Sequence, residues 1–371
     1  MKKTLLAVVM AAGVAGVAQA ETSVTLYGLI DAGLGYNEVK GAHGRTASRI
    51  GAVDGVSSGS RFGLQGAEDL GDGLRAVFTL EAGLSPNSGN AQQGGRLFGR
   101  HATVGLQSDY SGQLDFGRQT NLASKYFAGI DPAALGYNQA MMGTSFSSAN
   151  TVRLDNMVLY QTPSFAGFQF GIGYAFNADE NAAGSQFRTN NNNRVLTVGG
   201  HYQNGPLDIA LSFDNYRPRS NVNHSTSNVR AYIVGAAYDF EAFKVSAAFG
   251  QTFDGWFVGT SSGAGVKDAG GDNVGSWKVA DGSRVNSYLL GVSVPIGGTS
   301  NIWTSWQRAD VNNDRLAGKG NDATSDVYSV GYTYDLSKRT NLYAMASYGD
   351  NWQFNDTLRS TAVAAGLRHR F

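Results

Sequence analysis

The 371-residue sequence contains no cysteine and only 6 prolines. Without cysteine there are no disulfide bonds, no thiolate nucleophile and no zinc–sulfur site. The 29 lysines and arginines equal the 29 aspartates and glutamates in number. The chain therefore lacks the excess of basic residues that would indicate a nucleic acid partner. After residue 20, no apolar run approaches the roughly 20 residues that a membrane-spanning helix needs. These absences exclude a disulfide scaffold and a helical membrane protein.

The first 20 residues, MKKTLLAVVMAAGVAGVAQA, have the layout of a cleaved secretory signal. Two lysines precede an apolar run from Leu5 to Val17, and the stretch closes with Ala-Gln-Ala. We expect residues 1–20 to be removed, leaving a mature domain of residues 21–371. Removal of the two lysines leaves 29 − 2 = 27 basic residues against 29 acids, a net charge of about −2.

The most frequent local pattern is an alternation of apolar and polar residues, with 50 glycines and 11% aromatic residues in the chain. In GLRAVFTLEAGL (73–84), for example, apolar side chains alternate with Arg75, Thr79 and Glu81. This period of two predicts half-buried β-strands, whereas a helix would need apolar residues three and four apart. An exported chain with this composition and no spanning helix fits an outer-membrane β-barrel.

Alternating segments can be counted along the whole mature chain, and short turns between them alternate with long polar connections. This arrangement predicts an all-β fold, a 16-stranded antiparallel transmembrane β-barrel with an aqueous lumen. The predicted strands are 23–36, 59–68, 73–84, 96–107, 112–119, 152–162, 167–177, 193–203, 206–216, 228–239, 242–253, 285–295, 300–311, 324–335, 340–351 and 359–371. The predicted long connections are 37–57, 85–95, 120–150, 178–192, 217–227, 254–284, 312–323 and 352–357.

The alternation continues to the last residue, in TAVAAGLRHRF. A barrel has no open edges only if its last strand pairs with its first. We therefore predict that 359–371 pairs with 23–36, and that Phe371 lies in the aromatic girdle at the periplasmic interface.

Several stretches together resemble the trimeric general porins of Gram-negative outer membranes, especially the β-proteobacterial branch. They are SVTLYGLIDAGL, SRFGLQGAEDLGDGLRAVFTLE, FGRHATVGL, LDFGRQTN, RLDNMVLYQTPSFAGFQFGIGYAF, DLSKRTNLYAMASY and the ending GLRHRF. The resemblance implies a homotrimer with one pore per barrel, in contact with outer-membrane lipid and lipopolysaccharide. It also implies recognition of the C-terminal strand, with Phe371 as the assembly signal, by the barrel-assembly machinery.

The resemblance further implies that the third external loop, here 120–150, folds inward and narrows the lumen. This connection is rich in apolar and small residues, which indicates a segment packed against a wall. Within it, GIDPAALGY could form a short helical turn with Asp131 at the N-cap and Pro132 at the next position.

Permeation through such a channel depends on the charges at its narrowest point. By alternation, Arg61 and Arg75 face away from lipid, and the resemblance adds Arg100 and Arg153 to a basic constriction. The loop contributes Lys125 and a single carboxylate, Asp131. Arginines that outnumber acids predict passive diffusion of small hydrophilic solutes and ions with a weak preference for anions. Alternatively, these arginines only pair with strand carboxylates such as Glu68, Asp69 and Glu81.

Arg118 shares a strand face with Leu114 and Phe116, so alternation directs it towards lipid. The resemblance places this position at the interface between protomers, where the second loop (85–95) of a neighbour could contact it. Alternatively, Arg118 extends its charged end to the membrane surface.

Three rival functions remain open on the sequence alone. A barrel enzyme could use one of two G-x-S-x-G patterns, at 55–59 and 259–263, but neither precedes a helical pattern. A channel specific for a sugar or an organic anion could use Tyr27, Tyr126, Phe127 and Tyr137 as stacking surfaces. A third possibility places an adhesive function in the long loops, above all in 254–284. We expect no enzymatic activity, no cofactor and no metal site.

Overall fold

The computed structural model describes residues 23–41, 46–179, 192–219, 227–257, 279–313, 316 and 324–371. The signal peptide predicted for residues 1–20 lies outside these ranges, as does much of the connections predicted for 178–192, 217–227, 254–284 and 312–323. Among the described residues, no helix is both long enough and apolar enough to cross a membrane.

Antiparallel β-strands form a single sheet in which nearly every strand pairs with its sequence neighbours. The strands are β1 (Ser23–Lys40), β2 (Thr46–Asp54), β3 (Arg61–Gly71), β4 (Leu74–Gly83), β5 (His101–Ser108), β6 (Gly112–Thr120), β7 (Arg153–Gln161), β8 (Phe168–Ala175), β9 (Arg194–Asn204), β10 (Leu207–Arg217), β11 (Val229–Asp239), β12 (Lys244–Gly255), β13 (Val279–Ile296), β14 (Ser300–Val311), β15 (Ser325–Asp335), β16 (Thr340–Asp350) and β17 (Arg359–Arg370). One α-helix, α1 (Leu122–Tyr126), and three 3-10 turns (Asn138–Ala140, Met142–Thr144 and Trp352–Phe354) complete the described elements.

The sheet closes because β1 pairs with β17, from Leu29 opposite Arg370 to Lys40 opposite Arg359. On its other edge, β1 pairs with β3 through Ser23–Leu29 and with β2 through Ala32–Lys40. β2 and β3 are therefore two halves of one wall strand, and the wall is a closed barrel of 16 strands, as predicted. The predicted connection 37–57 was wrong, because β1 and β2 extend the wall through most of it.

The two faces of the sheet have opposite chemistry. On β10, Asp208, Ser212 and Asp214 are buried, whereas Leu211 and Phe213 are 52% and 38% exposed. This distribution is the reverse of that in a water-soluble sheet, where apolar side chains are the buried ones. It is the pattern expected for a barrel with lipid outside and polar groups inside.

The last residue takes part in closing the barrel. The Phe371 backbone N–H donates to the Gly28 carbonyl at 3.1 Å, and the Gly28 N–H donates to the Phe371 carbonyl at 3.0 Å. The ring lies over Gly28 so closely that a Cβ atom there would be 2.2 Å from the Phe371 Cζ. Gly28 therefore leaves the space that the terminal ring occupies, and the ring is 46% exposed on the apolar face.

Candidate functional site

The connection 120–150 is an ordered, largely buried segment. The Asn121 side chain caps α1 by accepting from the Ser124 N–H at 3.2 Å. Beyond α1 the chain continues through turns. Five large apolar side chains of the segment are at most 1% exposed: Leu122, Phe127, Ile130, Met142 and Phe146. These side chains form one apolar cluster with wall residues such as Leu159, Ile233 and Leu289. The apolar composition of the segment thus reflects packing against the buried face of the wall.

Glycines on the buried face let this segment approach the wall. A Cβ at Gly291 would lie 2.2 Å from the Pro132 Cγ, and one at Gly171 would lie 2.8 Å from the Leu122 Cδ2. Gly199, Gly235 and Gly250 receive Tyr126, Phe127 and Phe146 in the same way, at 3.1, 3.0 and 3.1 Å. Larger residues at these strand positions would push the segment away from the wall.

Hydrogen bonds from Asn121 and Gln139 hold the segment in place. At its start, the Asn121 Nδ2 donates to the Asp214 Oδ1 at 2.9 Å and to the Ser148 carbonyl at 2.8 Å. Farther along, the Gln139 Nε2 donates to the Ser347 Oγ at 3.0 Å, and the Gln139 Oε1 accepts from the Ser360 Oγ at 2.7 Å. The segment therefore contacts strands from β10 to β17 and does not follow a single strand.

Asp131 stabilises the middle of the segment. Its carboxylate accepts from the backbone N–H groups of Ala133 at 3.1 Å, Leu135 at 3.0 Å and Met142 at 2.9 Å. Burial raises the pKa of this carboxyl to about 6, and the three N–H donors partly oppose that rise. At the position of the predicted short helical turn, the Ala134 N–H donates to the Asp131 carbonyl at 2.8 Å, and no regular helix continues from this turn. Asp131 therefore organises the segment instead of presenting its charge to water.

The predicted arginines Arg61, Arg100 and Arg153 come together around Glu81. The Arg100 Nε lies 2.7 Å from the Glu81 Oε1, and the Tyr27 hydroxyl donates to the Glu81 Oε2 at 3.1 Å. All three arginines are within electrostatic range of one another and of Glu81. Arg100 precedes the first residue of β5, so strand alternation does not set its direction. Three guanidinium groups around one carboxylate leave an excess of positive charge.

Lys125 adds to this region, whereas Arg75 does not. Burial lowers the pKa of Lys125, and its charge acts on His101, which Arg100 and Arg153 also influence. Arg75 forms an ion pair with Asp109 beside the β5–β6 turn. It is six residues from Glu81 on β4, which corresponds to about 20 Å along a strand. The basic cluster therefore comprises Arg61, Arg100 and Arg153, with Lys125 nearby.

Arg118 is paired within its own chain. Its Nη1 lies 2.6 Å from the Asp155 Oδ1, and its Nε donates to the Gly99 carbonyl at 2.7 Å. Arg96, from the 85–100 connection, binds the same carboxylate at 2.6 and 2.8 Å. Leu114 is half-exposed and Phe116 is 47% exposed on the apolar face. The carboxylate of Asp155 thus compensates a guanidinium that alternation directs towards lipid.

The residues proposed for rival functions have structural contacts. Tyr126, Phe127 and Tyr137 are at most 5% exposed and pack on the wall, so they offer no open stacking surface. Ser57, the central serine of the 55–59 pattern, accepts from the Arg368 Nη1 at 3.2 Å, and a strand follows it instead of a helix. The second pattern, 259–263, lies outside the described residues. Within the described ranges, no three His, Cys, Asp or Glu side chains are grouped to hold a metal ion.

Two features of this site were missed from the sequence. One is the set of glycines that the 120–150 segment packs against. The sequence does show them, because each glycine lies within a predicted strand at a position where a side chain would be expected. Asp155 as the partner of Arg118 had no local signal, because the two residues are distant in sequence and meet only through β6–β7 pairing.

Comparisons with known proteins agree with this architecture. A family model described as Gram-negative porin matches residues 6–352. An outer membrane porin protein of Bordetella pertussis is 52% identical, with 100% of both chains covered. Outer membrane porin protein 32 of Delftia acidovorans is 31% identical, again with 100% of both chains covered. Among solved structures, an anion-selective porin from Comamonas acidovorans superposes with a TM-score of 0.72 at 28% identity, covering 94% of this chain and 100% of that one. The chain therefore belongs to the Gram-negative porin family and is an outer-membrane channel.

Proposed function

We propose that this porin is a general diffusion channel with a weak preference for anions, and that 120–150 lies in the lumen and narrows it opposite the basic cluster. The observation that carries the proposal is the cluster itself, in which Arg61, Arg100 and Arg153 surround the single carboxylate of Glu81. Fixed positive charge at a narrow point raises the local concentration of anions and lowers that of cations.

The buried position of Asp131 supports the same sign of preference. A carboxylate that accepts three backbone N–H groups and is only 3% exposed is poorly placed to attract cations. The similarity to an anion-selective porin is consistent with this inference. A channel specific for a sugar or an organic anion is the less favoured alternative, because three of its four candidate aromatic residues are buried.

We also propose that the protein is not an enzyme and that it assembles as a homotrimer. The hydrogen bond from Arg368 to Ser57 gives that serine a structural role. Leu114 and Phe116, beside the paired Arg118, would form part of the protomer contact, with lipid and lipopolysaccharide around the remaining apolar face. Phe371, at the end of the closing strand, would be read by the barrel-assembly machinery.

Recording from the purified protein in a planar bilayer tests the proposal. Under a salt gradient, the zero-current potential should have the sign of anion preference. Conductance should increase with salt and should not saturate with added sugars. A cation-preferring potential would contradict the charge assignment, and saturable block by a sugar would favour the specific channel.

A further inference from the structure

The connection between β16 and β17 (residues 351–358) contains two of the most deeply buried side chains of the protein. Trp352 is 1% exposed and Phe354 is 2% exposed. The sequence predicted a polar external loop at 352–357, and that prediction was wrong for these two side chains. A tryptophan and a phenylalanine each remove about 150–250 Å² of mostly apolar surface from water when buried. Their burial fixes the direction in which the segment folds.

Both rings pack on the buried face of the wall. Trp352 forms a cluster with Val39, Val327 and Leu358. The Trp352 ring occupies the space that a side chain at position 349 would need, since a Cβ at Gly349 would lie 2.4 Å from the Trp352 Cε3. The 351–358 segment thus uses a wall glycine in the same way as 120–150 does.

Phe354 contacts a second part of the wall. Its ring meets the ring of Trp256 at 5.3 Å and 76°, an edge-to-face arrangement, and the cluster includes Val285, Ala309 and Val311. These three residues are buried and alternate with more exposed neighbours on β13 and β14. Phe354 therefore extends the segment from β16 over the nearby strands β13 and β14 and to the end of β12.

The backbone of the segment is strained. Asn351, Gln353 and Phe354 have φ angles of 46°, 58° and 63°, although none is glycine. The left-handed conformation costs free energy for such residues and persists only where the surroundings hold it. Here the Trp352 N–H donates to the Leu358 carbonyl at 2.9 Å, and the Asn351 Nδ2 donates to the Thr324 carbonyl at 3.0 Å. Aromatic packing together with these hydrogen bonds keeps the segment in one arrangement.

The two packed segments occupy neighbouring levels of the same wall. Gln139 of the 120–150 segment binds Ser347 and Ser360. Ser347 is two residues from Gly349, which the Trp352 ring covers, and Ser360 is two residues from Leu358 of the Trp352 cluster. The basic cluster lies on β3–β7, outside both apolar clusters of the 351–358 segment. From this arrangement we propose that 351–358 folds into the lumen and forms a second restriction of it, on the long-connection side of 120–150. This inference rests on the channel function proposed above.

Thiol labelling tests the position of the segment without requiring channel activity. The chain has no cysteine, so a single Val327→Cys substitution provides a unique reporter beneath Trp352. The matched control is Asp356→Cys, on an exposed residue of the same segment. With a charged, membrane-impermeant thiol reagent, Val327→Cys should react at least about tenfold more slowly than Asp356→Cys, since a buried thiol reacts only after local opening. Adding Trp352→Ala should abolish most of that difference.

Conductance then tests whether the segment restricts flow. The Trp352→Ala/Phe354→Ala variant should have a larger single-channel conductance and admit larger sugars, with the sign of ion preference unchanged. The Asp356→Asn variant should conduct like the unmodified protein. Equal thiol reactivity at positions 327 and 356 would overturn the proposal, as would protection of position 327 without a gain in conductance. A wild-type potential of cationic sign would instead contradict the proposed anion preference alone.

Discussion

Arg61 offers the sharpest test of electrostatic control in this channel. An Arg61→Gln substitution removes one of three guanidinium groups around Glu81 and leaves the Arg100–Glu81 pair, with its 2.7 Å contact, in place. The matched control is Arg75→Gln, which removes the same charge beside the β5–β6 turn, where Arg75 binds Asp109. The two variants have identical net charge and differ only in where the charge was lost.

The expected magnitude follows from Coulomb's law. A unit charge roughly 6 Å from an ion in water contributes about 0.7 kcal/mol. Screening at about 0.1 M salt reduces this value to about 0.4 kcal/mol. That energy changes the local concentration of each ion about twofold, in opposite directions for anions and cations, so the anion-to-cation permeability ratio should fall about fourfold. At the roughly 20 Å that separates Arg75 from the cluster, the same reasoning gives almost no effect.

Zero-current potentials in a potassium chloride gradient measure this ratio for both variants. The Arg61→Gln effect should become smaller as salt concentration rises, because screening shortens the range of the lost charge. Equal shifts for Arg61→Gln and Arg75→Gln would refute a localised basic constriction. No shift for either variant would refute electrostatic selection as a whole.

Three further predictions concern packing and pH. Asp131→Ala leaves three N–H groups without their acceptor and should destabilise 120–150 by several kcal/mol, at about 1–3 kcal/mol per group. Asp131→Asn should destabilise the segment less. Hydrogen exchange of the 133–142 amides would rank the two variants. Because the folded pKa of Asp131 is raised from 3.8 to about 6, the folded protein binds this proton more readily than the unfolded chain. Stability should therefore increase as pH falls from about 6 to 4, by up to about 3 kcal/mol, and a thermal unfolding series should show no such increase in Asp131→Asn. Gly28→Ala should lower barrel stability by about 1–3 kcal/mol through overpacking, and much less in a Phe371→Ala background; equal losses in both would show that the ring contact is unimportant.

Most of the wall could be predicted from the sequence because one face of each strand meets lipid. The period of two is then strong, as on β10, where Leu211 and Phe213 alternate with Ser212 and Asp214. The exception is β1–β2, where polar residues beyond Tyr36 indicated a loop although the strands continue to Lys40 and resume at Thr46. There the wall extends past the apolar zone, so hydrophobic alternation no longer reports strand structure.

The site could be predicted only in part because its contacts are non-local. Alternation predicted that Arg61 faces away from lipid, but it gave no indication that Arg100 or Arg153 would lie near Glu81. A turn beginning at Asp131 was predicted, but the burial of its carboxylate and the contact with the distant Met142 N–H depend on how the whole segment folds. Trp352 and Phe354 lie in a short polar stretch, and only the clusters that they form with wall residues of β1 and β13–β15 show why they are buried.

The most direct test of the central claim is the zero-current potential of a triple variant, Arg61→Gln/Arg100→Gln/Arg153→Gln, compared with the unmodified protein under the same salt gradient. The three substitutions leave the negative charge of Glu81 with the positive charge of Lys125 nearby, so the region no longer carries an excess of positive charge. The anion preference should therefore be lost, and the zero-current potential should move to zero or to the sign of cation preference. A triple variant that folds as a β-barrel and retains the original sign would contradict the account.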